Sequence, residues 1–158
     1  MNANRAIKRI DKWLDAIFEA EGGYVNDPDD LGGETKYGIS KRAFPQLDIK
    51  NLTKDEAIEI YIRDYWHKLN CDELEYGLDI AVFDVAVNMG TGRAEQFLEQ
   101  IKDTKGSIQR IQAYNKLRRE HYADIIRRKP NQKKYKKGWE DRIRKIERLI
   151  ETDLKDLQ

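Results

Sequence analysis

Leu78-Asp79-Ile80-Ala81-Val82-Phe83-Asp84-Val85-Ala86-Val87-Asn88-Met89 is the most hydrophobic stretch of the chain. Leu78, Ile80, Ala81, Val82, Phe83, Val85, Ala86 and Val87 would surround nearly the whole circumference of a helix. A helix that is apolar all round belongs in the middle of a protein. The stretch therefore predicts a mainly α fold built around this helix, with at most a small β-hairpin elsewhere. Its three polar residues, Asp79, Asp84 and Asn88, are costly in such a place unless each finds a partner. Asp84 and Asn88 stand four apart and share a face. Backbone groups nearby are the expected partners of Asp84. For Asn88 the residues leave two readings open, a backbone bond or a contact at the helix end beside Gly90.

Working outward, the segments on both sides also have helical spacing. Ile7, Ile10, Trp13, Leu14, Ile17 and Phe18 predict a first helix, and Gly22-Gly23 is the expected signal for its end. Thr53 and Glu56 form a capping box ahead of a stripe of Ala57, Ile58, Tyr61, Ile62, Tyr65 and Trp66. Trp66 is read as core. Tyr65 is open between core and the border of a sugar groove, where flat rings suit carbohydrate faces. Ser40 is expected to cap a short helix stopped by Pro45. After the central helix, residues 93–101, 108–126 and 139–154 are three further helical segments, the second with Ile108, Ile111, Leu117, Tyr122 and Ile125 inward. Pro130 bars continuation of that second one.

Between the first two helices lies Glu21-Gly-Gly-Tyr-Val-Asn-Asp-Pro-Asp-Asp-Leu-Gly-Gly-Glu-Thr-Lys-Tyr-Gly-Ile-Ser40. Glu21 is expected on the last turn of the first helix, where the partial negative charge of the helix end raises a carboxyl pKa. Asp30 and Thr35 follow at nine and fourteen residues. A carboxyl that stays protonated, a second that stays ionised and a hydroxyl suit water attack on a glycosidic bond. A calcium loop starting at Asp27 is disfavoured, because Leu31 takes a ligand position and Gly38 stands where the bidentate Glu belongs.

This run closely resembles the signature of glycoside hydrolase family 108, phage-type N-acetylmuramidases with a Glu-Gly-Gly-Tyr motif. The resemblance continues through Asp64-Tyr65-Trp66, through Phe83 to Gly90, and through Gly138-Trp139, so it covers nearly the whole chain. It implies a lysozyme-like fold, Glu21 as catalytic acid, and Asn88 at a position resembling a substrate-groove contact. The spacing of Glu21, Asp30 and Thr35 is also similar to the catalytic triplet of phage lysozymes, offset by one residue at the Thr. Asp30 would stabilise charge or position water, and Thr35 would help to hold that water. Tyr24 would line the cleft beside the acid, with a packing role as its alternative.

The totals narrow the choices. A chain of 158 residues is the size of one compact domain. Within it, residues 1–95 are expected to form the catalytic part and 96–158 a helical basic part, which the resemblance assigns to peptidoglycan binding. One cysteine, Cys71, excludes an internal disulfide framework. His67 and His121 lie far apart with no partner at metal-site spacing, which weighs against a zinc amidase or endopeptidase. No metal or cofactor is expected. The net charge of +1 hides a division. Residues 1–100 hold 12 Lys and Arg against 20 Asp and Glu, and residues 101–158 hold 18 against 9. The balances of −8 and +9 point to an anionic partner for the second half, with seven of its cations between Arg127 and Lys137.

The leading function is hydrolysis of the β-1,4 bond between N-acetylmuramic acid and N-acetylglucosamine by a monomeric enzyme. A lytic transglycosylase is the enzymatic alternative, and a non-catalytic wall-binding or secretion accessory protein is the other. Nucleic acid is not an expected partner, since charge alone supports it. No stretch has the length of a signal peptide core or of a membrane span. Synthesis in the cytoplasm is expected, with action on the cell wall after holin-type or other release.

Overall fold

The computed structural model describes residues 3–18, 22–28 and 32–157. Glu21 and Asp30 lie outside the described residues, as does the full extent of the expected helix end before Gly22. The chain packs as two units that divide between Asp64 and Tyr65. As expected, helices dominate.

In the first unit, α1 (Ala3–Ile17) buries Ala6, Ile10, Trp13 and Leu14; of the stripe read from the sequence, Ile17 and Phe18 are half-buried and Ile7 is exposed. Three very short strands follow: β1 (Val25–Asn26), β2 (Glu34–Lys36) and β3 (Ile39–Ser40). They form an antiparallel sheet in the order β1-β2-β3, so the expected hairpin carries a third strand. The predicted helix after Ser40 does not form. Ser40 Oγ does accept from Ala43 N at 3.1 Å, but only a turn follows, because Pro45 bars helical geometry at the residue before it. Thr53 and Glu56 complete their capping box at the start of α2 (Lys54–Tyr61). Lys54 Nζ ties α2 to α1 through Asp11 and Asp15, at 2.8 and 2.7 Å. The expected continuation to Trp66 changes pitch, since Ile62–Trp66 is a π-helical turn.

The second unit is organised by α3 (Leu78–Met89), whose bounds are those of the opening stretch and whose residues 78–86 are all buried. Around it pack α4 (Thr91–Gln100), α5 (Ser107–Arg128) and α6 (Lys136–Asp156). Six residues of 3₁₀ turn, Pro130–Tyr135, join the last two. Trp66 is fully buried, donating from Nε1 to Asp72 Oδ1 at 2.8 Å. Cys71 is buried as a free thiol. Ile108, expected inward, is 57% exposed because it stands in the first turn of α5.

The polar residues of α3 find partners, though not all as expected. Asp79 accepts from the backbone N–H groups of Gly77 and Ile80 at 3.0 and 2.7 Å, which suits a carboxylate at a helix start. Asp84 finds charged partners as well as any neighbouring backbone. Its carboxylate meets Arg118 Nη1 at 2.6 Å and Arg142 Nη2 at 2.9 Å, from α5 and α6. Burial opposes the charge of Arg118, but Asp84 and Tyr122 outweigh it and hold the pKa above its ordinary value. A lone buried cation would be far costlier than this paired one.

Two outcomes follow. Asp84→Ala strands two cations, and urea unfolding should register a loss of about 3–5 kcal/mol; a loss near zero would contradict this role. His121 is pushed down in pKa by burial and by Arg93 and Arg128. The unfolded state then takes up its proton first, so this contribution to stability is whole above about pH 6.5 and lost as pH falls below it. Melting temperature should decline from about pH 6.5 to 5, and His121→Asn should flatten that slope.

Candidate active site

Gly22 is held by an aromatic anchor in the first unit. Trp13 meets Tyr61 edge-on at 5.0 Å and Phe18 at 5.8 Å. Tyr61 donates its hydroxyl to the Tyr37 carbonyl at 2.6 Å, a buried bond. Tyr37 in turn donates its N–H to the Gly22 carbonyl at 2.7 Å. The chain thus runs from the α1–α2 core to the residue that follows Glu21 in two hydrogen bonds. Tyr37 adopts φ 53°, an uncommon conformation for a bulky residue. Gly22 has φ +81°, and a Cβ there would lie 2.7 Å from the Tyr37 ring. Only glycine permits this contact.

The sheet places Thr35 and Tyr24 differently. Thr35 sits in the middle of β2, half-buried, with Val25 and Ser40 as its Cα partners. Tyr24, 36% exposed, donates its hydroxyl to Glu34 Oε2 at 3.0 Å. Desolvation first, then Glu34, push the Tyr24 phenol up, so it stays a donor. Neighbouring strand residues point to opposite faces. Thr35 therefore faces away from the side shared by Glu34 and Tyr24. Glu34 is a partner of Tyr24 that the sequence reading missed. Continuing the register of β1 and β2 sets Tyr24 across from Lys36, with Glu34 its diagonal neighbour on the same face. Only knowledge of that register could have paired them.

Tyr65 and Asn88 belong to the second unit. Tyr65 is half-buried on the π-helical turn, and its carbonyl accepts from Leu69 N at 3.2 Å. Asn88 closes α3 with its residue exposed. Its Oδ1 accepts from the Tyr122 hydroxyl and, at 3.5 Å, from Arg118 Nη2. Two donors on the oxygen fix the orientation of the amide and leave its N–H₂ for other partners. Among the described residues no group of three or more His, Cys, Asp or Glu is placed to hold a metal ion.

Residues 14–90 match the family model of Glycosyl hydrolase 108. The match covers just under half of the 158 residues, and it makes this part of the chain similar to that family. The anchor on Tyr37, the sheet, Tyr65 and Asn88 all fall inside the matched region. The solved structure of Brucella abortus SagA is similar to 90% of this chain over 94% of its own, with 26% identity and a TM-score of 0.71. That share exceeds residues 14–90, so the likeness reaches into the helices beyond α3. The fold is mainly α and lysozyme-like. Among curated proteins, none matches the chain. No helix among the described residues is long and apolar enough to cross a membrane.

The anchor makes a prediction. Gly22 and Gly23 both have positive φ, but a Cβ on Gly23 would meet nothing within 4 Å. Gly22→Ala carries a clash as well as the dihedral cost of about 1–2 kcal/mol. Thermal denaturation should place Gly22→Ala clearly below Gly23→Ala. Equal melting points would mean that the Tyr37 contact does not hold the loop.

Proposed function

We propose that this glycosidase is an N-acetylmuramidase that hydrolyses the β-1,4 bond between N-acetylmuramic acid and N-acetylglucosamine in peptidoglycan. The observation that carries the proposal is the anchoring of Gly22 on Tyr37 inside the region that matches family 108, directly after Glu21. A general acid must be held within reach of one oxygen atom, and rigid neighbours supply that. In this reading Glu21 delivers its proton to the leaving oxygen as the bond to the anomeric carbon breaks. Water attacks that carbon, positioned by Asp30 and held in part by Thr35. Tyr24, Tyr65 and Asn88 contact the glycan, Asn88 through its free N–H₂. The division of labour places chemistry in residues 1–95 and wall binding in 96–158. The enzyme acts as a monomer on the cell wall after release, without cofactor.

Glu21→Gln keeps shape and hydrogen bonding but has no proton to give. Wall clearing in a zymogram should fall by about two to four orders of magnitude or more, with melting temperature unchanged or slightly higher. Retained clearing would remove the assignment of Glu21. Mass spectrometry of the digest separates the chemistries: reducing ends support the hydrolase, and anhydro-muramic ends would convert it to a lytic transglycosylase.

A further inference from the structure

The basic run between α5 and α6 is not uniform. Lys137 Nζ is held at 2.8 Å by Asp141, and Lys134 Nζ lies 5.2 Å from the centre of the Tyr135 ring. Lys133 and Lys136 have no carboxylate partner among the described residues. Both instead line a cavity of about 370 Å³ in the second unit. Its apolar wall includes Ile126 and the rings of Tyr122 and Trp139, which stack at 4.5 Å and 11°. Tyr135 leans on the same indole at 5.9 Å. Glu140, the one acid at the rim, is met by Arg119 at 3.3 Å. Two uncompensated cations therefore face an aromatic floor.

We propose that this cavity in the second unit is a binding site for a carboxylate-bearing N-acylated sugar. The volume is within the ~300–1,000 Å³ of ordinary ligand sites. Aromatic rings offer an apolar surface to the C–H face of a sugar, and ammonium groups bind carboxylate through charge-assisted hydrogen bonds. A plain neutral sugar leaves both lysines unused, and a small acid leaves the rings unused. Single-stranded nucleic acid is favoured less, because strand binding uses successive stacking platforms along a groove, and here Tyr122 closes the stack behind Trp139. The choice of a muramic-type carboxylate rests on the peptidoglycan reading above.

The structure supplies its own reporter. Of the three tryptophans, Trp13 and Trp66 are fully buried and Trp139 is half-buried. Intrinsic fluorescence of the full chain, titrated with N-acetylmuramic acid, should change saturably, with N-acetylglucosamine and lactate each about tenfold weaker or worse. Lys133→Gln with Lys136→Gln should weaken N-acetylmuramic acid about tenfold, while Lys134→Gln with Lys137→Gln stays within about twofold of wild type. Equal losses from the two pairs would reduce the effect to diffuse surface charge and overturn the site. Equal binding of N-acetylglucosamine, or tighter binding of an oligouridylate, would overturn it too. A zymogram on the same wild-type protein keeps the two readings apart. Clearing without the lysine asymmetry removes this site and leaves the muramidase, and the asymmetry without clearing does the reverse.

Discussion

One fully buried carboxylate orders the second unit. Asp84 sits fully buried in the middle of a helix, and two guanidinium groups reach its charge there. Arg118 comes from α5 and Arg142 from α6, so α3 can be satisfied only when both helices are in place. The requirement acts at a distance from the ion pair itself. Arg118 also donates to Asn88, and Tyr122, one turn along α5, donates to the same oxygen while stacking on Trp139. The exposed amide and the aromatic cavity thus hang from the same buried charge.

In the first unit the corresponding task falls to a short relay of aromatic residues. Trp13 supports Tyr61, Tyr61 fixes the carbonyl of Tyr37, and Tyr37 grips the carbonyl of Gly22. Nothing in this relay is charged, so it is insensitive to ionic strength and to pH over the range where carboxylates and histidine titrate.

Much of this was legible because periodicity and capping are local. The apolar run from Leu78 to Met89 announced its own bounds, and Thr53 with Glu56 announced the start of α2. Trp66 was readable as core for the same reason. What escaped the sequence depends on partners far along the chain. Asp84 finds arginines 34 and 58 residues away, which no spacing rule supplies. Glu34 meets Tyr24 only through a strand register, and two-residue strands leave almost no pattern to read. Ser40 shows a different failure: its cap is present, but the local veto of Pro45 prevailed over it. Glu21 and Asp30 were singled out by helix-end position and spacing, then by the family resemblance for Glu21 and the phage-lysozyme spacing for Asp30; both lie outside the described residues.

The π-helical turn at Ile62–Trp66 has a consequence for how the chain tolerates changes in length. Such a turn widens the ring of each backbone hydrogen bond by one residue. Deleting a single residue there could restore ordinary helical pairing without breaking the backbone ladder. Because the wider turn takes up the extra residue by itself, the side chains that follow would keep their facing, and the indole of Trp66 would stay in the core it fills. The same deletion in a regular helix would swing every later side chain by about 100° around the axis.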